Sequence, residues 1–144
     1  MQKMLVREQR GIARHAVCSI MPGEWQLYSQ ISGYPEGDML QYLCSDCLRH
    51  LRGLGINPKL IGYRCVVLAI MLYAANPNLM MKQINPDVAR ICGLADGACV
   101  ERNIRSAIGS AWKKRTPDVW KRYFPAHEKC PTNKEFIAGI AGLL

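Results

Sequence analysis

Three sets of residues in this 144-residue chain have types and spacings that could do chemistry. Glu101, Arg102, Arg105 and Ser106 fall three to four apart, so a helix carries them on one exposed face. The arginine fork matches the O6 and N7 acceptors of guanine, and a glutamate can accept from the cytosine amino group. Cys44-x-x-Cys47 with His50, joined by His15-x-x-Cys18, has the donor types of a tetrahedral zinc site. Cys44 and Cys47 also fall in register with Leu43, Leu48 and Leu51, where thiols pack as small hydrophobes. His127 beside Glu128 is the third set. It lacks a nucleophile with an orienting partner, and the chain has no phosphate-binding glycine loop or paired carboxylates, so no catalytic residues are assigned and an enzyme is not expected.

Composition bounds these alternatives. Nineteen Lys and Arg against 11 Asp and Glu give a net charge of +8, which points to an anionic partner. Half of the residues are apolar (49%) and 21% are charged, enough for one packed domain and too apolar for a disordered chain. Seven scattered cysteines do not make a secreted disulfide framework. The longest apolar run, Cys65 to Ala75, is eleven residues where a membrane span needs about 20. The reading is a cytoplasmic protein with no cofactor, no membrane partner and no small-molecule substrate.

The elements that must position these residues are helical. Asn57-Pro58, Asn85-Pro86 and Thr116-Pro117 each put a capping side chain ahead of a proline, predicting three helix starts. Thr132-Asn133-Lys134-Glu135 is a capping box ahead of Phe136, Ile137 and Ile140. Leu40 to Leu54 is predicted as an amphipathic helix ended by Gly53 and Gly55, and the stretch after Pro58 as a buried central helix. The expected fold is all-α, a compact multi-helix bundle containing a helix-turn-helix, with an N-terminal helical extension over 1–38 and the effector-like domain over 39–144.

Residues 86–112 read as helix, tight turn, helix. Gly93 stops the first helix, Asp96 caps the second, and Val100, Ile104, Ala107, Ile108 and Ala111 form its apolar stripe. In a helix-turn-helix the second helix enters the major groove and its N-terminal half reads base edges. From Arg102 to Arg122 there are seven basic residues and one acidic; Lys113, Lys114 and Arg115 are candidate phosphate contacts. A charged outer face and basic residues at a helix C-terminus also suit an ordinary solvated helix. Lys3, Arg7, Arg10 and Arg14 carry the same two readings, a basic arm on DNA or a solvated face. The segment Trp25 to Ile31 would pack on the bundle or form a homodimer surface.

The string VERNIRSAI with Ala111-Trp112, and the later PTNKEFIAGIA, resemble the C-terminal effector domain of the sporulation-initiation response regulator of endospore-forming bacteria. The resemblance covers roughly residues 48–144. It implies a bundle of about six helices around a helix-turn-helix that binds double-stranded DNA, often as tandem copies. On the family pattern Glu101, Arg102 and Arg105 are base-reading candidates, with Ser106 where the family has His, and Lys82 is a candidate phosphate contact. Cys99 stands where the family has a DNA-contacting Arg, a loss that relaxes specificity by on the order of 1–3 kcal/mol. The turn is one residue longer than in the family, and the segment from Ile70 to Lys82 about three shorter. The residues ahead of the match are too few for the family's phosphoacceptor receiver domain, so a regulator lacking one is expected. The alternative keeps the fold as a protein-interaction module that antagonises or partners a regulator without binding DNA specifically.

Overall fold

A computed structural model of the protein describes residues 37–144. His15, Cys18, the basic residues Lys3 to Arg14, the aromatic segment from Trp25 and nearly all of the extension expected over 1–38 lie outside the described residues. Six helices follow one another, α1 (Gly37–Leu54), α2 (Ile61–Ala75), α3 (Met81–Cys92), α4 (Gly97–Lys113), α5 (Pro117–Tyr123) and α6 (Asn133–Ala141). The all-α class is as expected. No helix among the described residues is long and apolar enough to cross a membrane.

The order of burial follows from the sequence of α2. From Gly62 to Leu72 every residue except Arg64 is buried, so this helix offers no solvent face and must be surrounded. It packs against α1, α3, α4 and α6. Gly62 sets how closely α2 meets α4: a β-carbon there would lie 2.1 Å from the carbonyl oxygen of Asn103. Around this axis α1 buries Cys44, Cys47, Leu48, Leu51 and Leu54. An aromatic cluster closes the far end, with Phe124 stacked on Phe136 at 5.5 Å and Trp112 edge-on to Trp120 at 5.3 Å.

The local signals divide into those that hold and those the structure corrects. Thr132 Oγ1 accepts from the Glu135 N–H at 3.2 Å, and Glu135 Oε1 accepts from the Thr132 N–H at 2.9 Å, which is the expected reciprocal cap. Thr116-Pro117 begins α5. Asn57-Pro58 does not begin a helix. Asn57 Oδ1 instead accepts from the Lys59 N–H at 3.0 Å, a side-chain turn that delays α2 to Ile61. Asn85-Pro86 does not begin one either: α3 starts at Met81, where Gln83 Oε1 accepts from the Met80 N–H at 2.8 Å. Asn85 is 7% exposed and packs inside, and Pro86 sits in the second turn, where its missing N–H costs a single helical bond, that to Lys82. Gly53 lies within α1, and the stop is Gly55 at φ +80°.

Candidate nucleic-acid interface

α3 and α4 are joined by four residues, Gly93 to Asp96, and each end of that turn has its own chemistry. Gly93 takes φ +69°, the left-handed conformation that lets the chain leave α3, and the Leu94 N–H closes back on the Ala89 carbonyl at 2.8 Å. Asp96 Oδ1 then accepts from the Cys99 N–H at 2.9 Å and caps α4. Gly97 lets α4 start close to α3, since a β-carbon there would lie 3.2 Å from that of Asn85.

α4 is divided along its length. Val100, Ile104, Ala107, Ile108 and Ala111 are buried, and Glu101, Arg102, Arg105 and Ser106 are exposed on the other side. At 100° per residue, Ala98, Arg102 and Gly109 run along the middle of the open face, flanked by Arg105 on one side and Ser106 on the other, with Glu101 at the edge beyond Arg105 and Ser110 at the edge beyond Ser106. Glu101 and Arg105 form an ion pair across one helical turn. Arg102 makes no ion pair with any described residue. Cys99 is half-buried, and Asn103 Nδ2 donates to its carbonyl oxygen at 2.8 Å and contacts its Sγ at 3.5 Å.

The candidate phosphate contacts lie on two helices and the turn that follows the second. Lys82 is exposed as the second residue of α3. Lys113 and Lys114 are exposed where α4 ends, about 16 Å along the axis from Arg102. Arg115 is differently employed. Its guanidinium lies 3.7 Å over the Trp112 ring and donates to the Trp112 carbonyl at 2.9 Å, so it fastens the helix end while remaining partly open to solvent.

Two participants were invisible in the sequence. Asn133 Nδ2 donates to the Glu101 carbonyl at 3.0 Å across 32 residues of sequence, and this brings Lys134 to the edge of α4. The resulting cleft of about 530 Å³ runs between α3, α4 and the start of α6, lined by Asn85, Glu101, Arg105, Asn133 and Lys134 among others. The capping box predicted the start of α6, but nothing local indicates what that start would lean on.

The other candidate sets separate from this face. Cys44 and Cys47 are fully buried in the core; burial pushes the Cys44 thiol up to about 12 and raises Cys47 as well. Both are protonated thiols packed against Tyr63, whose phenol burial also pushes up to about 12. His50 turns from them to Tyr123, with Nδ1 2.8 Å from its hydroxyl. No three His, Cys, Asp or Glu side chains among the described residues are grouped to hold a metal ion. His127 Nε2 meets the Glu135 carboxylate at 2.9 Å, a contact that supports the cap of α6.

Residues 47–144 match the family model described as "Sporulation initiation factor Spo0A C terminal". No curated protein matches the chain.

Proposed function

The chain belongs to the sporulation initiation factor Spo0A C-terminal family, the DNA-binding domain of a sporulation transcription regulator, and from that premise we propose that it binds duplex DNA sequence-specifically as a small transcriptional regulator. The family is one of DNA-binding domains and not of enzymes. One observation carries the reading furthest. A single helix, fixed at its start by the Gly93–Asp96 turn, buries one whole side in the core and offers Glu101, Arg102 and Arg105 along the other.

In this reading α4 enters the major groove, whose width of about 12 Å accepts one helix. Arg102 and Arg105 approach base edges in the N-terminal half, Glu101 orients Arg105 or accepts from a cytosine amino group, and Ser106 fills the position beyond. Lys113 and Lys114 neutralise phosphates past the end of α4, and Lys82 does so from α3. Arg115 holds the helix end against Trp112 and adds charge there. Occupancy of the site then recruits or blocks other machinery on the DNA.

The test is fluorescence anisotropy with labelled duplexes recovered by selection from a randomised pool, against scrambled versions at two salt concentrations. Base readout predicts a preference for the selected sequence that persists at the higher salt, with Arg102→Ala and Arg105→Ala each removing about 1–3 kcal/mol of discrimination. Tandem or dimeric binding would be read from the stoichiometry of the same titrations. Failure to bind any duplex at low salt would refute the proposal and turn attention to a protein partner.

A further inference from the structure

The cleft beside α4 holds a cation to which neither the charge run nor the Arg102–Arg105 face drew attention. Asn133 Nδ2 bonds the Glu101 carbonyl at 3.0 Å, so the first turn of α6 is fastened to the edge of α4, and Lys134 is carried on the same flank as Arg105. A helix is about 10–12 Å across with its side chains, which fills a major groove about 12 Å wide. Anything fastened to the edge of such a helix therefore meets the sugar-phosphate strand and not the bases.

The charges on that flank are unequally satisfied. Arg105 is paired with Glu101, and Glu135 is held by His127 and by the Thr132 N–H. Lys134 is exposed and has no hydrogen bond or ion pair with any described residue. It is also the second residue of α6, where the partial positive charge of the helix end opposes a cation. Helix stability therefore gives no reason for a lysine at this position. An anion brought into the cleft would be drawn by Lys134 and Arg105 together.

We propose that Lys134 neutralises a DNA phosphate on the strand flanking the Glu101 edge of α4, making the start of α6 a backbone clamp. The proposal rests on the DNA-binding reading above and adds to it a contact from a different helix. Because the contact is to phosphate, it acts equally on every sequence and shows itself in the salt dependence.

The experiment titrates the full chain against a fluorescein-labelled 24-base-pair duplex of mixed sequence, from 50 to 200 mM KCl. Lys134→Gln should weaken binding several-fold at the lowest salt and reduce the slope of log K against log salt by about 0.9, the value for one phosphate. Lys134→Arg should keep the wild-type slope. Arg52→Gln, an equal loss of charge on the exposed side of α1, should keep it too. Unchanged thermal melting of Lys134→Gln establishes that the fold is intact. A wild-type slope in Lys134→Gln, or an equal drop in Arg52→Gln, would overturn the clamp while leaving DNA binding in place. Absence of duplex binding by the wild type would overturn both.

Discussion

Gly62 and Asn103 meet backbone to backbone: a β-carbon on Gly62 would stand 2.1 Å from the Asn103 carbonyl oxygen, 2.8 Å from its carbon and 2.9 Å from the Ala107 β-carbon. Two helices, the buried α2 and the exposed-faced α4, are thereby seated at a distance that only glycine permits. Helix propensity alone would favour Gly62→Ala by about 1 kcal/mol. The contact is to main-chain atoms that cannot rotate aside, so the clash wins, and a net loss of about 2 kcal/mol or more is expected in the urea midpoint. Gly109→Ala supplies the opposite sign. No atom lies within 4 Å of its β-carbon, and stability should rise by up to about 1 kcal/mol. Equal effects from the two substitutions would show that the α2–α4 approach is not set by Gly62.

What the sequence made legible was local. Gly93 and Asp96 each act within four residues of themselves, and the stripe from Val100 to Ala111 repeats with the helical period, so the turn and the buried side of α4 follow from neighbours alone. The same logic misled at Asn85-Pro86. Asparagine before proline is a good helix start wherever the asparagine reaches solvent, but here α4 packs over Asn85 through Gly97 and the helix begins five residues earlier. Burial by a distant element outweighed a local signal. Asn133 with Glu101 and Gly62 with Asn103 are separated by 32 and 41 residues, and no periodicity carries such pairs. The candidate site was therefore visible as a helix face and invisible as a cleft.

The Glu101–Arg105 pair is expected to matter for recognition more than for folding. Both side chains are about half or more exposed, and an exposed pair one turn apart contributes about 0.3–0.5 kcal/mol. Glu101→Gln should leave the urea midpoint nearly unchanged. It should also release Arg105 and alter the order of preference among selected duplexes. A variant with wild-type preferences would remove Glu101 from the readout.

The buried thiols predict a reactivity pattern. Cys44 and Cys47 are fully buried with thiol pKa values pushed up by burial, whereas Cys99 is partly open. In native protein treated with iodoacetamide, peptide mass spectrometry should find Cys99 modified and Cys44 and Cys47 untouched until unfolding. Because thiolates are costly at these two positions, EDTA should not shift the melting temperature. Rapid labelling of Cys44 or Cys47, or a fall in melting temperature with EDTA, would restore the zinc reading of this pair.

The cap of α6 predicts how stability responds to acid. Glu135 accepts from the Thr132 backbone N–H, the largest cause, and from His127, which together hold its carboxyl down to about 2 from an ordinary value of 4.5. A carboxyl lowered on folding favours the native state fully above its unfolded value and loses that contribution as pH falls through the folded one. The window is therefore about pH 5 to pH 2. Glu135→Gln preserves the reciprocal cap, because glutamine also accepts from the Thr132 N–H, and it removes the titrating charge. Wild type should melt above this variant at pH 6, and the gap should close progressively toward pH 2.5. A gap that stays constant across the range would mean that the carboxylate form of Glu135 gives α6 nothing beyond the hydrogen bond.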